Sequence, residues 1–170
     1  MIPHREKAYK GGEDAFSCSI DGCMFCLADG VGGWAKKGID PGLYSKELCS
    51  QFKYLYESQM KLLPEDLLTP PENRVGEAKD AVKDVDQRRN LVEACKKTMR
   101  KAVGTSTFVS MAMNKDAPKI EGLNLGDSGY LILRGKEALF HSPVQQHRFN
   151  HPYQCGTNHK LPYSSESFPH

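Results

Sequence analysis

Asp21-Gly22 lies between two short runs, residues 14–20 (DAFSCSI) and 23–28 (CMFCLA), and this pair constrains the fold more than any other feature. An Asp-Gly pair between alternating apolar residues is a strong hairpin signal, because both residues tolerate the positive φ of a tight turn. Folding the chain about positions 21–22 sets residue 14 opposite residue 29. Glu13 and Asp14 then meet Asp29 at one end of one sheet. An acid ending an apolar strand is costly unless something compensates its charge. Residues 28–34 (ADGVGGW) add glycines at 30, 32 and 33, which let the backbone approach a neighbour closely or turn with positive φ.

The rest of the chain alternates in type. Residues 43–62 (LYSKELCSQFKYLYESQMKL) carry apolar side chains at a spacing close to 3.6 and predict an amphipathic helix. Pro64, Pro70 and Pro71 break the pattern, and the charged stretch 65–90 reads as an insert or a solvated helix. Helical spacing returns over 91–103. Residues 105–113, 119–125, 129–135 and 137–142 then read as strands of an antiparallel meander. Residues 143–170 show no periodicity and read as an irregular C-terminal segment. Strands, then helices, then strands predict a single α+β domain over 1–170, with helices laid on an antiparallel sheet.

Charge and composition exclude several classes. With 23 basic and 21 acidic residues, the formal charge of +2 gives no case for nucleic acid as partner. No run of about 18 apolar residues exists, so no membrane span is expected. The N-terminal MIPHREKAYKGGEDAF has no apolar core of a secretory signal, so an intracellular protein is expected. The six cysteines are scattered rather than dense, which fits reduced thiols. Cys23-x-x-Cys26 has a metal-pair spacing, but on a strand residues three apart face opposite ways, which favours packing. His147-x₃-His151-x₃-Cys155 would suit zinc on a helix, yet Pro152 biases His151 away from helix.

Asp127 lies in NLGDSG (124–129), at the turn between two expected strands. Acids at several strand ends beside Gly30 have the donor chemistry of a hard-cation site for Mg²⁺ or Mn²⁺. Acids before glycines also occur in plain turns, where Asp bonds its own backbone. Spacing alone leaves both readings open.

The motifs in order, GGEDAF (11–16), ADGVGGW (28–34), GTSTFV (104–109) and NLGDSGYLILRG (124–135), resemble the metal-dependent PP2C-type (PPM) serine/threonine protein phosphatases. Gly38 to Pro41 and QQHRFNHPYQ (145–154) further resemble the PTC7-like branch. The resemblance implies a PP2C-like antiparallel β-sandwich flanked by helices. It implies hydrolysis of phosphoserine and phosphothreonine proteins by metal-activated water, with two Mn²⁺ or Mg²⁺ ions and a third at a weaker site. It assigns Asp29 to bridge the ions, the Gly30 carbonyl to bind one, Glu13 and Asp14 to act directly or through water, and Asp127 to the third ion. Asp29 and Asp14 are then the catalytic residues. A monomer is expected, in the cytoplasm or, as the resemblance implies, in the mitochondrion.

The chain departs from that pattern in three places. The family's phosphate-binding arginine falls at Tyr9, leaving Arg5, Lys7 or Lys10 as substitutes. Val31 stands where some members carry histidine. Two further family aspartates, in (A/T)-(T/S)-D-G and (D/N)-D-x-T stretches, do not occur in residues 128–170. The domain is therefore expected to be incomplete at the C-terminus, with an exposed apolar sheet face. A non-catalytic binding or regulatory module is the alternative function.

Overall fold

The computed structural model describes residues 5–61, 85–114 and 119–157, without the side chains of 6–8. The expected insert at 65–90 falls largely outside the described residues, as do residues 158–170.

Strands β1 (Asp14–Cys18) and β2 (Met24–Asp29) form the hairpin, with Asp14 opposite Asp29 and Cys18 opposite Phe25. The loop is longer than the two-residue turn expected. Ser19 closes it, its N–H donating to the Met24 carbonyl (2.8 Å) while its hydroxyl accepts from Met24 N (2.9 Å). Asp21 Oδ1 accepts from the Ser19 hydroxyl (2.5 Å) and from Cys23 N (3.1 Å), so the aspartate organises the loop through its side chain. The register survives because the loop remains centred on residues 21–22.

Strands β3 (Thr105–Ser106), β4 (Phe108–Asn114) and β5 (Lys119–Leu125) follow the helices. One antiparallel sheet has the order β1-β2-β4-β5. Helix α1 spans Pro41–Gln59 and starts two residues before the periodicity suggested. Asp40 caps it by accepting from Gly42 N (3.0 Å), and Pro41 supplies a pre-set φ at the first position. Helix α2 spans Gln87–Thr98, also earlier than expected, capped by Asp86 accepting from Arg89 N (3.0 Å). Both helices pack on one sheet face. Tyr44, Leu48 and Phe52 of α1 are fully buried with Leu91 and Ala94 of α2 and Met24, Ala28 and Phe108 of the sheet. The Phe52 and Phe108 ring centroids lie 4.8 Å apart.

The opposite face is open: Phe16 is 64% and Phe25 51% exposed. The expected meander is interrupted. Strands β6 (Leu131–Arg134) and β7 (Glu137–His141) form a separate hairpin rather than extending the sheet. Gly126 at φ +106 turns the chain away after β5, and the Tyr130 hydroxyl packs over Gly122, where a Cβ would collide with it. The described part of the segment after 143, up to residue 157, carries regular structure where none was expected. It contains the ribbon of β8 (Gln146–Arg148) and β9 (His151–Pro152), and β10 (Cys155–Gly156), which pairs with β3. Backbone bonds from Gln145 N to the Gly126 carbonyl (2.8 Å) and from Thr157 N to the Gly104 carbonyl (2.9 Å) bind it to the domain. The described residues are thus α+β with one four-stranded sheet and three two-stranded ribbons, and the second large sheet of a sandwich is not among them.

Candidate active site

The hairpin sets the rim. Asp14 and Asp29 face each other at the ends of β1 and β2, and Glu13 precedes Asp14. Three backbone segments meet there. The Glu13 carbonyl accepts from Gly30 N (3.2 Å) and from the Ser45 hydroxyl (2.5 Å). The Glu13 carboxylate lies over Gly32, where a Cβ would stand 3.0 Å from Oε2. The Asp29 carbonyl accepts from Thr107 N (3.0 Å) and the Ser106 hydroxyl (2.8 Å). Thr107 Oγ1 in turn pairs with Ser128 Oγ (2.8 Å), beside Asp127 in the turn after β5. The buried hydroxyls of Ser45 and Ser106, with the backbone N–H of Thr107, therefore fix the backbones around the acids. Sequence reading passed over these three residues. The GTST run was visible, but the role of its hydroxyls depends on β4 lying beside β2.

Burial pushes the Asp29 carboxyl up first, although the residue reaches solvent at the rim. A hydrogen bond with Asp14 and then the charges of Asp14, Asp127 and Glu13 push it further, from 3.8 to about 6. Glu13, Asp14 and Asp127 all bear on Asp29, while Asp14, Asp29 and Asp127 remain exposed. Among the described residues, no three His, Cys, Asp or Glu side chains stand close enough together to hold a metal ion by themselves. The donor chemistry still fits a hard cation. It offers carboxylates that repel one another and the Gly30 carbonyl, to which none of the described residues donates.

A pH dependence follows. A carboxyl with a raised folded-state value binds its proton more tightly in the folded than in the unfolded chain, so ionising it costs stability. Without divalent ions, this contribution is absent below pH 4, lowers stability as pH rises from about 4 to 6, and is constant above. Thermal melts in a chelator between pH 4.5 and 7.5 are expected to show the fall, and Mn²⁺ is expected to reverse it above pH 6.

The other motifs do not assemble a site. All six cysteines are free, and Cys23 lies in the loop rather than in β2. The His147 ring stacks edge-on against Tyr153 (4.2 Å), His151 Nδ1 donates to the Phe149 carbonyl (3.0 Å), and the Cys155 thiol is buried against the Ser106 carbonyl (3.6 Å). Trp34 is half-buried and donates from Nε1 to Thr105 Oγ1 (2.9 Å), a packing role. Among the described residues no helix is long and apolar enough to cross a membrane.

No protein-family model matches the chain. The chain is 37% identical to "Probable protein phosphatase 2C 55" of Arabidopsis thaliana, over 98% of its own length and 31% of that protein. It is 36% identical to the 5-azacytidine resistance protein azr1 of Schizosaccharomyces pombe, over 84% of its own length and 42% of the relative. It thus spans less than half the length of either relative. The fold is similar to the X-ray structure of the photosystem II phosphatase PBCP, with TM-score 0.64 and 27% identity, covering 91% of this chain and 51% of that one. Several relatives and a solved structure therefore support the PP2C-type protein phosphatase family for this chain.

Proposed function

We propose that the chain acts as a PP2C-type serine/threonine protein phosphatase, hydrolysing phosphoserine and phosphothreonine in protein substrates. The observation that carries this reading is the gathering of Glu13, Asp14 and Asp127 about Asp29 at one rim, where burial first, and then the Asp14 hydrogen bond and the charges of the other acids, push the Asp29 carboxyl up to about 6. Such a rim needs positive charge, and two Mn²⁺ or Mg²⁺ ions match both the donors and the family.

In this reading Asp29 and the Gly30 carbonyl would hold the ions, with Glu13 and Asp14 acting directly or through water, and Asp127 would serve a third, weaker ion. When bound, the ions would supply an acidified water for attack on phosphorus. The chain's own part is to hold the acids at fixed spacing. Ser106 and Thr107 pin the Asp29 backbone, and Ser45 pins Glu13. The PTC7-like assignment is supported by ADGVGGW, Gly38 to Pro41 and QQHRFNHPYQ. A monomer of the cytoplasm or mitochondrion belongs to the same reading.

The test is phosphate release from a phosphothreonine peptide by the purified chain, in millimolar Mn²⁺ and in chelator. Release that needs Mn²⁺ is expected. A cooperatively folded chain that binds Mn²⁺ yet releases no phosphate would instead identify a non-catalytic phosphatase-like module.

A further inference from the structure

A phosphoester dianion approaching four carboxylates is repelled by every charge that bound ions do not neutralise, so a fixed cation beside the rim has a clear use. A cleft of about 390 Å³ opens at the free edge of β1, walled by Gly11, Asp14, Phe16 and Lys46. Lys46 comes from the second turn of α1, and its neighbour Ser45 is the residue whose hydroxyl grips the Glu13 carbonyl. The lysine backbone is therefore locked to the segment that presents Glu13 and Asp14. Its ammonium donates to the Lys10 carbonyl (3.2 Å), which stations Nζ over Gly11. An ammonium has three donors, so two remain for a ligand in the cleft.

Four other described lysines are held elsewhere. Lys10 Nζ lies over the Tyr9 ring (5.4 Å) and Lys37 Nζ over Trp34 (4.7 Å). Lys101 pairs with Glu47 (2.7 Å), and Lys53 with Glu57 (2.6 Å).

We propose that Lys46 binds the substrate phosphate, its Nζ facing the phosphoryl oxygens across the cleft from Asp14. This assignment rests on the phosphatase reading above. It replaces the sequence candidates Arg5, Lys7 and Lys10 with a residue that only the packing of α1 against residues 10–14 reveals; the Lys7 side chain lies outside the described ones.

The probe is inorganic phosphate, titrated calorimetrically into the full chain with saturating Mn²⁺. Lys46→Met and Lys46→Gln are expected to weaken phosphate binding roughly tenfold or more, the loss of one charge-assisted contact. Their Mn²⁺ affinities should stay within about twofold of the parent, and Lys46→Arg should restore most of the phosphate binding. Gln keeps a donor while removing the charge, so equal losses in both variants trace to charge rather than to the tether on Lys10. Unchanged phosphate binding in the Mn²⁺-loaded Lys46→Gln chain overturns the assignment and leaves the phosphatase reading standing. A parent chain that takes up no Mn²⁺ overturns both.

Discussion

Exchanging Asp29 for asparagine is expected to lower Mn²⁺-dependent phosphate release by two to three orders of magnitude while raising the melting temperature of the ion-free chain. The opposite signs come from one cause. Asparagine keeps the shape of aspartate and can still hydrogen-bond Asp14, but it carries no charge to set against Asp14, Asp127 and Glu13. In chelator at pH 8, that removes a repulsion and a partly buried anion, and the fold gains. With Mn²⁺, the same change removes the anion assigned to bridge the ions. The loss belongs with those seen when a preorganised charge is taken from a site that works by electrostatics. A second readout isolates the ion. Ligand at a hundred times its dissociation constant stabilises a fold by about 2.7 kcal/mol, so Mn²⁺ should raise the melting temperature of the parent and leave the variant nearly unmoved. A variant that keeps its turnover, or gains the same Mn²⁺ stabilisation as the parent, would remove Asp29 from the centre of the site. Sites built on mutual repulsion commonly give up stability for function in this way.

What was legible in the sequence was local. The pairing of Asp14 with Asp29 follows from the loop position and from period-two alternation, and a one-residue slip would have turned Ala15, Met24 and Ala28 outward. The start of α1 was also written in the chain: Asp40 before Pro41 is a cap followed by a pre-set first residue, but apolar spacing alone drew the boundary at 43. What escaped were contacts between segments far apart. Glu57 stands on α1 at a spacing that suggests an exposed pair with Lys53. Its side chain is buried, and it accepts from Ile20 N (2.7 Å), so it braces the hairpin loop from below. The detachment of β6 and β7 depends on Tyr130 lying over Gly122, and the role of Thr107 depends on Ser128 reaching it. Neither has a periodic signature. At the rim, the acids could be named from sequence, whereas the hydroxyls that hold them and the lysine beside them needed the packing of α1 and β4.

Gly30→Ala is expected to be the most damaging single-methyl change at the rim, and Gly33→Ala, three positions along, is its control. An added Cβ at Gly30 would stand 2.5 Å from the Glu13 carbonyl oxygen and 2.8 Å from that of Pro41. Both are backbone atoms, so neither can swing aside. Glu13 is held by Ser45, and Pro41 is the first residue of a capped helix. Relief requires β1 and the start of α1 to part from β2, breaking the bond from Gly30 N to the Glu13 carbonyl. Overpacking of this kind costs about 3 kcal/mol at the upper end of its usual range, or roughly 6–12 °C in melting temperature for a chain of this size. The same displacement carries Glu13 and Asp14 away from Asp29, so Mn²⁺ affinity should fall even at temperatures where the variant is folded. At Gly33 the nearest atom to an added Cβ is Val31 Cγ1 at 3.9 Å, ordinary contact on a backbone that suits alanine. Its melting temperature should stay close to the parent's, as for a surface change that touches nothing special. Equal tolerance at both positions would mean that the segments holding Glu13 and Gly30 are not in contact, and the rim described here would not exist.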